Sequence, residues 1–172
     1  MLASYLDKGG KLFISGQDIG WDLCDKWAGS SNEYNTGYTN EAIQFHQSYL
    51  HARYLTHVAD FSSQAGKPGD PIGDGLNFRL RQPGRRYLVQ HQSQIEPLNN
   101  AVSIFDYPDG KSGGIRFSGD HKVVYLGYGF EAIRDIETRH EVMYRIVNWL
   151  NGFSIEHIPP KDTEDTTKAA FI

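Results

Sequence analysis

An aspartate framed by glycines is the first feature of this sequence that could do chemistry. Gly16, Gln17, Asp18, Ile19 and Gly20 fit the pattern G-x-D-x-G and follow directly on the apolar run KLFIS at residues 11–15. A nucleophile on a tight strand-to-helix turn needs small residues two positions before and after it, because the turn crowds the central side chain against the backbone. With Asp18 at the centre, its carboxylate is a candidate nucleophile or general base, and the N–H groups of the turn could hold an anion or a developing oxyanion. The same five residues also fit a glycine-rich crossover in which Asp18 caps the helix that follows. A second carboxylate, Glu131, lies in GYGFEAI at residues 127–133. If it shares a pocket with Asp18, the pair could hydrolyse a small ester, amide or glycoside, with Glu131 as acid or orienting group.

Other residue sets offer weaker chemistry. Of the seven histidines, His46, His51 and His57 fall in one stretch, but no HxxxH pair occurs and His46 and His57 would sit about three helical turns apart, too far for one ion. Asp18, Asp22 and Asp25 do not reproduce the alternating ligands of a calcium loop. No metal site and no cofactor are expected. Ten tyrosines and three tryptophans could form a sugar-binding platform through exposed rings such as Trp21, Trp27 and Tyr128, although most aromatics lie in runs that core packing explains. Cys24 is the single cysteine. It lies past the turn at Asp18 and reads as a structural thiol.

The elements that must position these groups come next. Residues 2–6 look like the end of an amphipathic helix stopped by Gly9-Gly10. The run at 11–15 has the continuous apolar character of a strand covered on both faces, as in a parallel sheet. Helical spacing of Ala42, Phe45, Tyr49 and Ala52 predicts a helix from an N-cap at Asn40 to about Tyr54. Residues 62–75, SSQAGKPGDPIGDG, read as a long loop. Residues 87–91, 101–107, 114–118 and 122–127 read as strands, the last three as an antiparallel meander with turns at Pro108-Asp109-Gly110 and Ser118-Gly119-Asp120. A closing helix carries Val142, Met143, Ile146, Val147 and Leu150 on one stripe, starts at a Thr138–Glu141 capping box and ends at Gly152. Residues 1–153 then form one α/β domain, and 154–172, with IPPKDTEDTTK, a linker or disordered tail.

With 39% hydrophobic and 22% charged residues, wholesale disorder and a disulfide scaffold are excluded. A net charge of −4 argues against nucleic acid as a partner. No apolar run approaches the ~20 residues that span a bilayer.

Taken together, GGKLFISGQDIG, YLHARYL, GDPIGDGL, VVYLGYGFEAI and VMYRIVNWL resemble the class I glutamine amidotransferase-like domain of secreted, multi-domain bacterial proteins, over nearly the whole chain to about Phe153. The resemblance implies a flavodoxin-like α/β sandwich, here a partial one with its first strands missing, an extracellular or periplasmic location, and other domains of a longer protein as partners. Active members carry Cys at the turn, with His and Glu in the later loop. Here Asp18 stands at the turn and Glu131 has no histidine beside it, so the resemblance implies a noncatalytic or cryptic module, with Gly16, Gln17, Gly20, Trp21 and Tyr128 as candidate ligand-binding residues. A strand at 11–15 that lacks a neighbour would also favour a homo-oligomer, most simply a dimer.

Overall fold

In the computed structural model, residues 1–25, 39–58, 62–81 and 92–153 are described. The elements in chain order are α1 (Leu2–Leu6), β1 (Lys11–Ser15), α2 (Ile19–Cys24), α3 (Asn40–Ser48), β2 (Ala52–Val58), β3 (Ser63–Gly66), β4 (Asn77–Arg79), β5 (Gln92–Pro97), β6 (Val102–Asp106), β7 (Ser112–Ser118), β8 (Lys122–Leu126), a 3-10 turn at Phe130–Ala132 and α4 (Ile136–Asn151). They build a mixed α/β fold on one sheet with the order β1-β8-β7-β6-β3-β4. β1 and β8 run parallel, with Leu12 opposite Val123 and Ile14 opposite Tyr125. β6, β7 and β8 form the expected antiparallel meander. A two-stranded ribbon of β2 and β5 leaves the sheet where Ile95 pairs with Ser112, just beyond the end of β8.

Alternation along β1 and β8 divides the core between two faces. Phe13 packs with Val124, Leu126 and Tyr128 against Val142, Ile146 and Leu150 of α4. Leu12 and Ile14 pack with Val123, Tyr125 and Ile115 against Leu6, Phe45 and Leu50. Each fully buried aliphatic side chain in these layers contributes about 1.5–3 kcal/mol. Of the stripe expected on α4, Val142, Ile146 and Leu150 are buried, while Val147 is exposed.

Several local expectations are corrected. The predicted helix to Tyr54 ends at Ser48, because His51 adopts φ 54° and turns the chain into β2. His46, His51 and His57 therefore lie on a helix, in a turn and on a strand. The helix starts at Thr39, whose hydroxyl accepts from the Ala42 N–H. The closing helix starts at Asp135, whose carboxylate accepts from both the N–H and the hydroxyl of Thr138, while Glu141 is engaged by Arg145.

Residues 62–75 are not simply a loop. Gln64 lies opposite Phe78 and Ala65 opposite Asp106. Beyond β3 the side chain of Asp70 replaces regular pairing: Oδ1 accepts from the N–H groups of Ile72 and Gly73, and Oδ2 from Arg116 Nε at 2.6 Å. Arg145 donates to the carbonyls of Ile72 and Asp74. The strand expected at 87–91 and the tail at 154–172 lie outside the described residues.

Candidate functional site

Parallel pairing of β1 with β8 puts the loops that follow them side by side at one end of the sheet. The first loop carries residues 16–20, the second residues 127–133. Gly16 N–H continues the ladder by donating to Leu126 O, and Phe130 N–H donates to Ser15 Oγ at 3.3 Å. The β2–β5 ribbon covers this end. Ser93 Oγ donates to Gln17 O at 2.6 Å, and Ser93 N–H donates to Gly127 O.

The turn itself differs from a strained nucleophile turn. Asp18 has φ −101° and ψ 0°, and neither Gly16 nor Gly20 adopts a left-handed conformation. Gly20 is required for another reason: a Cβ there would lie 2.7 Å from the Tyr54 ring. At Gly16 a Cβ would meet the end of the Ile19 side chain. Asp18 occupies the N-cap position of α2, but its side chain does not cap the helix. Its carboxylate is solvent-exposed and accepts from Gln17 Nε2 at 3.3 Å.

Glu131 is also exposed, with its carboxylate folded back over Gly129. The two candidate catalytic groups thus share one end of the sheet, both exposed and, among the described residues, without a hydrogen bond between them. Burial pushes the Cys24 thiol up to about 11, the opposite of the activation a thiolate nucleophile needs.

Among the candidate ligand-binding residues, Trp21 is half-buried and Tyr128 is fully buried beside Phe78. Tyr128 is therefore a core residue and not an exposed sugar platform; the apolar run VVYL continues straight into the core at that position. Trp27 lies outside the described residues. No group of three or more metal-ligating side chains occurs among the described residues.

A concavity that the sequence did not signal lies further along the same end of the sheet, at the edge formed by β3 and β4. It is an open groove of about 780 Å³ lined by Phe78, Arg79, Asp106, Pro108 and Arg134, among others. Arg134 N–H donates to Arg79 O, which sets the two arginines side by side. Of the groove's carboxylates, Asp106 is paired with Lys67 and Asp135 is occupied by Thr138. A bridge between Leu80 and Ile133, just after β4 and just before α4, brings Arg79 and Arg134 together, and no spacing rule links them.

No family model matches the chain, and no curated protein matches it. Among solved structures it is similar to one described as "mmIFT52 N-terminal domain", with a TM-score of 0.55 and 16% identity, covering 90% of this chain and 71% of that one. It is also similar to the exo-beta-1,4-mannosidase Op5Man5 from Opitutaceae bacterium strain TAV5, with a TM-score of 0.48 and 13% identity, covering 87% of this chain and 22% of that one. The first likeness agrees with the mixed α/β architecture and concerns the fold alone. No helix among the described residues is long and apolar enough to cross a membrane.

Proposed function

We propose that the chain is a noncatalytic, amidotransferase-like module of flavodoxin-like layout that binds or assembles within a multi-domain extracellular protein. The observation that carries this reading is the state of the three groups that would have to react. Asp18 and Glu131 stand in solvent at neighbouring loops, and the only thiol is held protonated by burial. A general acid or base gains its tuned pKa from desolvation or from a close charged partner. Both carboxylates are solvent-exposed, and among the described residues no ion pair reaches either. The parallel β1–β8 pair, covered by helices on both faces and carrying the glycine-framed turn at its end, supports the amidotransferase-like layout.

The test is turnover by the full chain. Ammonia release from L-glutamine and hydrolysis of small p-nitrophenyl esters and glycosides are expected to equal the buffer control. Turnover lost in both Asp18→Asn and Glu131→Gln would overturn the reading and install the hydrolase with those two residues in its site. The sugar-binding alternative, without Tyr128, depends on Trp21 among the described residues, and titration with oligosaccharides monitored by tryptophan fluorescence tests it.

A further inference from the structure

The free edge of β1 has a built-in register. Lys122 N–H donates to Gly10 O, and Gly16 N–H donates to Leu126 O. In the alternating pattern of a parallel pair, the backbone groups of Leu12 and Ile14 therefore face β8, and those of Lys11, Phe13 and Ser15 face outward. Both outward groups of Lys11 are already taken by one side chain. The Tyr5 hydroxyl accepts the Lys11 N–H at 3.0 Å and donates to the Lys11 carbonyl at 3.1 Å. Among the described residues no hydrogen bond reaches the outward N–H and C=O groups of Phe13 and Ser15, and β1 pairs with β8 alone.

Apolar surface overhangs the same edge. Arg145 and Trp149 reach residues 72–74 and Lys122 on one flank of α4, and Asn151 reaches Lys11 on the other. That second flank carries Ile136, Met143 and Val147 at helical spacing, and Ile136 and Val147 are about half exposed. Tyr5 and Phe153, also exposed, lie at the Lys11 end.

We infer that a second copy of this chain pairs with β1 across a two-fold axis at Ile14. Phe13 lies opposite Ser15 of the partner subunit, and Ser15 opposite Phe13 of the partner subunit. An antiparallel pair of this kind exchanges two N–H···O=C bonds at each of those positions. It uses the four outward groups each copy has open and leaves Lys11, closed by Tyr5, outside the ladder. Shifting the register to a Phe13–Phe13 centre would require displacing Tyr5.

The axis also brings the overhanging flanks of two α4 helices together and sets Lys11 at the level of the partner's Asp18, so that opposite charges meet at both ends. Ile136, Val147, Tyr5 and Phe153 together expose on the order of 400 Å² per copy, against ~800 Å² per partner in a standard interface, and the paired backbone adds to this. The inference is independent of whether the module is catalytic.

The experiment uses the full chain. Light scattering and sedimentation over a dilution series give the dimer constant, and hydrogen exchange followed at the Phe13 and Ser15 amides gives the register. A dimer is expected at tens of micromolar, with protection of those two amides rising with concentration. Ile136→Glu combined with Val147→Glu, at exposed positions that leave the core intact, is expected to weaken it at least tenfold. A monomer throughout the series overturns the inference. So does a dimer that ignores the double variant, or one in which the Phe13 and Ser15 amides stay open. Amides protected equally at every dilution would show instead that the edge is closed by the chain's own residues.

Discussion

Replacing Asp70 by Asn removes the charge on which the turn after β3 is built. In the wild type the Asp70 side chain is 4% exposed and Arg116 is 22% exposed. Breaking a buried pair by removing one partner costs about 3–5 kcal/mol, because the remaining charge is left without compensation. Two details move the expectation toward the lower end. Asparagine keeps an acceptor for the N–H groups of Ile72 and Gly73, and Arg116 keeps its place over the Trp149 ring, 5.3 Å from the centroid. The amide must still place an N–H₂ or an uncharged oxygen toward the guanidinium, which loses a charge-assisted bond worth ~1.5–3 kcal/mol. A loss of about 3 kcal/mol follows, which at an m-value of ~2 kcal/mol/M lowers the urea midpoint by ~1.5 M. Urea unfolding at pH 7 measures it, with the slope unchanged. Arg116→Met, which leaves the more buried Asp70 carboxylate without its charged partner, should cost at least as much as Asp70→Asn, and the double variant should show coupling of at least ~1 kcal/mol. A midpoint shift for Asp70→Asn that corresponds to under ~1 kcal/mol would refute the claim that this carboxylate organises the turn.

Acid is expected to destabilise the fold before carboxylates titrate. Burial holds His46 down at about 4, and burial together with the nearby His121 does the same for His51. The unfolded chain takes up these protons first, so stability is full above pH ~6.5 and falls between pH 6.5 and 4, by up to ~3 kcal/mol per ring. Urea midpoints at pH 7.5, 6 and 4.5 check the slope, and His51→Asn, which tolerates the left-handed backbone there, should flatten it. Glycine substitutions separate two kinds of tight turn. Gly66→Ala would drive a Cβ into the Gly73 carbonyl and should cost more than ~3 kcal/mol, whereas Gly16→Ala presses on the end of Ile19 and should cost under ~1 kcal/mol; thermal unfolding of the two variants decides it.

What the sequence made legible was local. The meander and α4 could be read because their turns and stripe obey short-range rules, and Gly152 ends α4 at φ 77° as a left-handed cap should. The start of β2 falls inside the expected helix because Ala52 continues a helical spacing that one residue, His51, interrupts. β3 lies inside the glycine- and proline-rich run at 62–75 and β4 just beyond it, both concealed because their pairing partners are distant and the Asp70 side chain holds part of the intervening turn. The candidate site divides in the same way. Asp18 and Glu131 stand at neighbouring strand ends, but nothing in G-x-D-x-G distinguishes a strained turn from a relaxed one in which Gly20 makes room for Tyr54. Tyr128 reads as an exposed ring from the sequence, whereas the alternation of β8 continues past Leu126 and carries it into the core.

The parallel pairing of β1 with β8 has a consequence for how the chain is made. Lys11 finds its place opposite Lys122, about 110 residues further along, and a ribosome adding ~5–20 residues per second takes on the order of ten seconds to cover that distance. During that interval the apolar KLFIS segment has been synthesised but the strand it needs has not. The meander β6–β7–β8, closed by short turns, can form as soon as it emerges, since loop-closure entropy is small for near neighbours. β1 is then synthesised before the other described strands and is among the last of them to dock. A delay or pause in translation before β8 would lengthen the exposure of that one segment more than of any other described strand, and a chaperone that holds short apolar stretches of a nascent chain would find a site there.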